Sequence, residues 1–331
     1  MRKYLLLGIT ALLIAVYLTN ASWLAEQRPG KPTLIAHRGV YQTYNREDLG
    51  RDDCTAIRVF QPEHAYLENT IASMSAAFDA GADIVEIDVH PTTDGEFAVF
   101  HDWTLDCRTE GKGTTRDHPM SYLKTLDIGY GYTPDGGKTF PFRGKGVGLM
   151  PTLEEVYRTF PDKKFLVNIK SGRRKEAVQL HRYLRQRQLP TNGPLLVYGS
   201  EKVMAKMREL RPDVWSFSRE SVKNCSYRYL FLGWSGYVPQ ACRNGAVVVP
   251  NTWHRALWGW PDRFIQRMDD AGAMVMELDF AGRGRGFHGI YKTEELDFLP
   301  ADYRGALWVE NIEVIGPYAK TRFDQQRLNQ N

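Results

Sequence analysis

No segment of this chain repeats another, and no long linker or low-complexity tract divides its 331 residues. That leaves one large domain or two ordinary ones rather than a string of modules. Charge of one sign is also scarce in excess: 43 Lys and Arg stand against 39 Asp and Glu, a net +4, with both signs interspersed. Such a balance argues against a nucleic-acid-binding surface. Cysteine is limited to Cys54, Cys107, Cys225 and Cys242, with no C-x-x-C spacing, which argues against zinc and thiol-redox sites. No A-x-A cleavage pattern precedes Trp23.

What is present begins at the N-terminus. Arg2 and Lys3 precede an apolar run over 4–18, followed by a polar, Pro-containing stretch. This is either an uncleaved signal-anchor or a secretory signal peptide. A run of about fifteen residues is short for a span, which favours a signal peptide. The missing cleavage pattern favours an anchor, and we place the anchor first. In either case segment 1–27 puts the rest of the chain on the non-cytoplasmic side. That means periplasmic and held at the inner membrane if the segment stays, or secreted if it is cleaved. Four cysteines suit an oxidising compartment. Of the three possible pairings the sequence favours Cys54 with Cys107 and Cys225 with Cys242, because each would close an irregular segment with little apolar periodicity.

Nine short apolar, β-branched runs recur: "TLIAH", "DIVEIDV", "FAVFHD", "KFLVNIK", "PLLVYG", "DVWSFS", "AVVVP", "AMVMELDF" and "ALWVEN". Helical patterns lie between most of them. Ile71, Met74 and Phe78 have helical spacing and stop at Gly81, and Thr152 with Glu155 forms a capping-box pattern. Strands alternating with helices predict an α/β fold with a parallel sheet. Only "PTTDGE" joins the second run to the third, too short for a parallel crossover, so those two form an antiparallel hairpin. Eight strands remain for a (β/α)8 TIM-type barrel over 28–331, with its site at the C-terminal strand ends.

If Asp94 and Gly95 are the centre of a two-residue turn, Thr93 faces Glu96 and Asp88 lies opposite His101, with Glu86 on the same face. Two carboxylates on a mostly apolar strand repel and are poorly solvated unless a cation lies between them. The alternative is a solvated strand end capped by His101.

The motifs "AHRG" at 36–39, "ENT" at 68–70, "VEIDVHPTTDG", "VFHD", "GLMPTLEEV" and "LVNIK" occur in order over about residues 33–170. In these the chain resembles the glycerophosphodiester phosphodiesterase family. The resemblance implies a TIM-type barrel, a divalent cation, Mg²⁺ or Ca²⁺, and two histidines that share acid and base work on a phosphodiester. Position by position it makes His37 and His101 catalytic, Arg38 and Lys170 phosphate contacts, and Glu86 and Asp88 metal ligands. Glu68 and Asn69 lie at the site edge. Asn168 replaces an acid that supplies the third metal ligand in the family. An amide carbonyl still suits a hard cation, but Glu277, Asp279 or Glu310 could instead serve as the third acid, or be ordinary strand ends.

Segment 41–67 and the Gly-rich 129–148 follow strands that carry site residues and are expected at the pocket rim. There Lys138, Arg143 and Lys145 could meet an anionic headgroup or a membrane surface, unless the glycines are plain turns. Trp253, Trp258 and Trp260 could reach a bilayer interface, but packing beneath a loop is the favoured reading; His254 beside them reads as structural. The expected function is metal-dependent hydrolysis of glycerophosphodiesters to glycerol 3-phosphate and an alcohol. One alternative is phospholipase D-like hydrolysis of lysophospholipids, and another is non-catalytic phosphodiester binding.

Overall fold

The computed structural model describes residues 2–328, except 27, 29, 51, 52, 192, 251–253, 255, 279–288 and 301. Trp253 and Asp279 lie outside the described residues. In chain order the elements are α1 (Arg2–Asn20), β1 (Thr33–His37), α2 (Ile71–Asp79), β2 (Ile84–Pro91), β3 (Phe97–Val99), α3 (Met120–Leu123), α4 (Leu153–Thr159), β4 (Lys164–Ile169) and α5 (Arg174–Arg187). They continue with β5 (Leu196–Gly199), α6 (Glu201–Leu210), β6 (Trp215–Ser218), α7 (Arg219–Leu232), β7 (Ala246–Pro250), α8 (Asp262–Asp270), β8 (Met274–Leu278), β9 (Ala306–Val309) and α9 (Ile312–Leu328). All nine strand-like runs are strands.

The sheet order is β6-β5-β4-β2-β1-β9-β8-β7, with β3 paired only to β2. Every barrel pairing is parallel, and β2–β3 is the antiparallel hairpin. The two ends of the sheet approach where Ser216 N–H donates to the Asn244 carbonyl at 3.2 Å, so the barrel is nearly closed. Parallel strands covered by helices on one side and by each other on the inside bury both faces. The inward layer includes Ile35, Ile84, Leu166, Leu196, Trp215, Met276 and Ala306, while Val85, Ile87, Val167, Val197 and Val275 face the helices. Thr70 and Thr152 cap α2 and α4 through reciprocal bonds with Ser73 and Glu155, as the spacing predicts for the second.

A separate apolar cluster is built from the segment after β1 and the stretch between β3 and α4: Tyr41, Tyr44, Val59, Phe100, Leu105 and Tyr132 are among its members. The Cys54–Cys107 disulfide staples these two segments, and Cys225–Cys242 ties α7 to the turn before β7. Both expected pairings are present.

The hairpin register differs from the expected one by a single residue. Its loop has three residues, Thr93, Asp94 and Gly95, closed by Thr92 N–H donating to the Glu96 carbonyl at 2.9 Å. The Asp94 carboxylate draws the loop outward by accepting from the Thr92 hydroxyl and from the Met120 N–H. Asp88 therefore lies opposite Phe100, whose N–H it receives at 3.0 Å, and His101 leaves the ladder just beyond β3.

The turn after β1 explains "AHRG". Arg38 and Gly39 both have positive φ, 59° and 79°. A Cβ on Gly39 would stand 2.6 Å from Ser73 Oγ and 2.8 Å from the Ser73 carbonyl carbon. Gly95 also has positive φ, but open space surrounds its missing Cβ. Gly95→Ala is expected to cost about 1 kcal/mol, the left-handed penalty alone. Gly39→Ala should cost about 3 kcal/mol, because overpacking adds to it. Urea unfolding of both variants checks this, and equal losses would mean that α2 yields without cost.

Candidate active site

The strand register brings His37 level with Glu86, and Asp88 level with Asn168. Glu86 and Asp88 share the inward face of β2 and are fully buried. Asp88 has the densest set of partners. Its Oδ1 accepts from Asn168 Nδ2 at 2.8 Å and lies 3.4 Å from Lys170 Nζ; its Oδ2 accepts from Asn69 Nδ2 at 3.2 Å and lies 3.3 Å from Arg38 Nε. Burial opposes its charge, but Lys170, His101 and Arg38 outweigh burial and hold its pKa down.

Glu86 is treated differently. Its Oε1 accepts from the Tyr198 hydroxyl at 2.7 Å, while its Oε2 has no hydrogen-bond partner and lies 3.9 Å from His37 Nε2. Burial first, and then the Asp88 charge, push its pKa up to about 7.

Both histidines are held through Nδ1. His37 Nδ1 lies 2.7 Å from Glu310 Oε2, which also accepts from the Tyr41 hydroxyl at 2.5 Å and from Arg46 at 3.0 Å. His101 Nδ1 lies 2.7 Å from Asp102 Oδ1, whose other oxygen accepts from Arg108 Nε at 3.0 Å. A carboxylate on Nδ1 fixes the ring and leaves Nε2 as the atom that exchanges a proton. Burial opposes both orienting acids, but His37 and Arg46 pull Glu310 well below its usual range, and Arg108 and His101 lower Asp102. Burial and Arg38 depress His101 to about 4, with Asp88 and Asp102 offsetting part of the shift.

Glu68 and Asn69 are not at the edge. Both are buried, Glu68 between Arg38 (3.1 Å) and Arg108 (3.2 Å), and Asn69 in a two-way clasp in which its Oδ1 accepts the Asp88 N–H at 3.1 Å. Asn69 shares the positive φ of Arg38, so the clasp is built on two residues in a sparsely populated conformation.

The later acids separate by parity. Glu310 follows the inward face of β9 but acts as the His37 orienter. Glu277 points outward from β8 and accepts from His254 Nε2 at 2.7 Å, away from the barrel interior. Trp260 stacks on His254 with ring centres 4.2 Å apart and packs on Phe264, so His254 and Trp260 are structural, as expected.

A cavity of about 820 Å³ opens at the strand ends. Its lining includes His37, Asn168, Lys170 and Glu310 together with Tyr198, Phe217, Val248, Met276 and Trp308. The Gly-rich segment does not line it. Those glycines fold instead around the Asp127 carboxylate, which accepts from the N–H groups of Gly129, Gly144 and Gly146. Arg143 lies over the Tyr130 and Phe140 rings rather than at the mouth, and Lys138 and Lys145 are exposed outside the cavity. Segment 129–148 reaches the site only through Tyr132, which accepts from Arg108.

The model of the glycerophosphoryl diester phosphodiesterase family matches residues 37–276. The chain belongs to that family. Among curated relatives, a glycerophosphodiester phosphodiesterase of Caldanaerobacter subterraneus is 44% identical over 107 residues, covering 32% of this chain and 40% of the relative. One from Bacillus subtilis is 31% identical over 160 residues, covering 44% of this chain and 53% of the relative. The chain thus spans about half the length of these relatives or less. An Oleispira antarctica phosphodiesterase solved with the product sn-glycerol-3-phosphate aligns at a TM-score of 0.55 and 20% identity, over 87% of this chain and 96% of that one. A glycerophosphodiester phosphodiesterase structure from Agrobacterium tumefaciens aligns at 0.52 and 18%, over 86% and 99%. At these identities the likeness is one of fold.

Within the family frame, the donor set fits a hard cation at Glu86 and Asp88. Both offer carboxylate oxygens, and Glu86 Oε2 is a buried acceptor without a hydrogen bond. Among the described residues no three His, Cys, Asp or Glu side chains stand together in ligating geometry. Asn168 directs its amide N–H₂ to Asp88, so only its carbonyl is left to offer.

The sequence reading missed Asp102, Arg108, Tyr41, Arg46 and Tyr198. For Asp102 a signal existed, an acid directly after the histidine in "VFHD". Tyr41, Arg46 and Arg108 come from segments with no periodic pattern, and Tyr198 lies on the β5 run, where nothing in the pattern marks its hydroxyl as a site group.

His90 gives a pH test. Burial, then Lys170 and Arg116, lower its pKa to about 3, and its Nδ1 is a buried atom without a partner. The folded state therefore resists a proton that the unfolded chain accepts near pH 6.5. Stability that is complete above about pH 6.5 should fall as pH drops toward 4. His90→Phe, with no proton to accept, is expected to show a shallower fall in urea midpoint over that range. Parallel profiles would remove His90 from the acid limb.

Proposed function

We propose that the protein hydrolyses glycerophosphodiesters to glycerol 3-phosphate and an alcohol. The observation that carries this reading is the pair of histidines, each held through Nδ1 by its own carboxylate, beside Arg38, Lys170 and the Glu86–Asp88 pair. A phosphodiester anion seated against Arg38 and Lys170 has its charge balanced as it grows in the transition state. One imidazole Nε2 takes a proton from the attacking water as its oxygen bonds to phosphorus, and the other supplies a proton to the alkoxide oxygen that departs as the P–O ester bond breaks. Glu310 and Asp102 hold the rings so that neither needs to reorient in the reaction.

Glu86 and Asp88, with the Asn168 carbonyl, would hold a Mg²⁺ or Ca²⁺ ion, which when bound adds positive charge next to the phosphoryl oxygens. Tyr198, Phe217 and Trp308 line the same cavity and would form an aromatic wall for the rest of the substrate. That aromatic wall is also the observation that favours the second reading, a lysophospholipid substrate.

The N-terminal apolar helix and the two disulfides point to a non-cytoplasmic location. We place the protein in the periplasm, anchored to the inner membrane by α1. The end of this helix is built into the fold, with Ala21 and Ala25 buried and Ser22 bonded to Asp262.

The test is release of glycerol 3-phosphate from glycerophosphocholine and glycerophosphoethanolamine by the full-length chain, with Mg²⁺, Ca²⁺ or chelator. Metal-dependent turnover is expected, with kcat lowered roughly 10²–10⁴-fold in His37→Ala and His101→Ala. Glu310→Gln should lower kcat by about 10²-fold with little change in KM, because it disturbs the orientation of a catalytic ring. Turnover that persists in chelator would exclude the cation. Turnover of lysophospholipids alone would favour the second reading, and tight binding without turnover of any diester would leave a binding protein.

A further inference from the structure

Helix α7 carries a feature that catalysis does not use. Cys225, Tyr229 and Gly233 face the core, while Tyr227 (57% exposed), Phe231 (77%), Trp234 (42%) and Tyr237 (52%) face solvent together with Leu232. Isolated exposed apolar residues need no explanation, but a contiguous aromatic set on one helix face and the turn after it does. Lys223 and Arg228 are exposed on the same helix. Between Glu220 and Asp262 the sequence contains no acid at all.

The patch is rigidly held. The Cys225–Cys242 bond fixes one side, Tyr229 donates to the Trp258 carbonyl, and Trp258 Nε1 donates to the Leu230 carbonyl.

The patch also adjoins the end of α1. Asn20 Nδ2 donates to the Trp234 carbonyl at 2.8 Å, and Arg267 donates at once to the Thr19 carbonyl (2.7 Å), Asn20 Oδ1, Tyr229 and the Gly233 carbonyl. Helix α1 itself has no buried residue, and its 19 residues give about 29 Å of apolar length, near the thickness of a bilayer core. A span that leaves the barrel without a linker sets the adjacent surface at the membrane boundary. Aromatic residues mixed with Lys and Arg are what that boundary selects.

We infer that Tyr227, Phe231, Leu232, Trp234 and Tyr237 form a bilayer-docking face, continuous with α1 and suited to anionic lipid. The inference rests on α1 remaining in the membrane and is independent of the hydrolytic reading.

The test uses the full-length chain, its retained N-terminus checked by intact mass, reconstituted in phosphatidylethanolamine and phosphatidylglycerol vesicles with brominated acyl chains. Trp23 follows α1 directly and meets lipid in any arrangement, so the baseline is Trp23→Phe. Tryptophan emission of that variant should still be quenched, and adding Trp234→Phe should remove at least half of the remaining quenching. Both side chains are exposed, so the fold tolerates the changes, and near-UV dichroism confirms it. Quenching that vanishes with Trp23→Phe alone means that the barrel stands clear of the bilayer and overturns the inference. So does a patch found cross-linked to a second copy while Trp234 stays unquenched. Turnover of glycerophosphocholine, measured on the same samples, reports separately on the hydrolytic site.

Discussion

The site is organised around a carboxylate that burial would neutralise if it stood alone. Asp88 keeps its charge through Arg38, Lys170, Asn69 and Asn168, and each partner imposes a demand on the fold. Arg38 and Asn69 adopt left-handed backbone to reach it, Gly39 must lack a side chain to let that turn close on α2, and β4 must align Asn168 with it. The second acid on the same strand absorbs the cost of this arrangement. Burial, and then the charge held on Asp88, push Glu86 toward the neutral form, and its free oxygen marks where positive charge is short. Around the pair, four fixed cations, Arg38, Arg46, Arg108 and Lys170, face five carboxylates, Glu68, Glu86, Asp88, Asp102 and Glu310.

The barrel was legible in the sequence because its strands are short apolar runs separated by helical patterns, and a six-residue connection can only make a hairpin. His37 and His101 were legible because the short motifs around them occur in the family's order, although His101 stands just past the end of β3. The hairpin register was not, since Asp-Gly suits a two-residue turn and a three-residue loop equally well. The choice was made by a distant contact, the Met120 N–H on Asp94. The place of Glu277 was left open for a related reason. Strands buried on both faces lack the apolar-polar alternation that would reveal which way a side chain points, so "MVMEL" does not disclose that its acid faces the helices. Glu310, Tyr41 and Arg46 are close only because β9 closes beside β1.

The barrel mouth combines charged and aromatic surface. Strands β1, β2 and β4 carry His37, Glu86, Asp88 and Asn168, and β5 to β9 carry Tyr198, Phe217, Val248, Met276 and Trp308. Tyr198 joins the two kinds, since its hydroxyl binds Glu86 while its ring stacks on Phe217 at 5.0 Å, and Trp308 does so from β9, its ring 5.4 Å from that of His37.

Arg267 has a consequence of a different kind. By binding the Thr19 carbonyl and the Asn20 side chain at the end of α1, the Gly233 carbonyl after α7 and the Tyr229 hydroxyl at once, it ties that helix directly to the barrel. A domain on a flexible leash sweeps a volume around its tether, whereas one joined to its helix by such bonds turns only with that helix. With α1 retained in a bilayer, the proposed site would therefore be confined to the thin layer of solution beside it, and the diesters within its reach would be those that enter the water there.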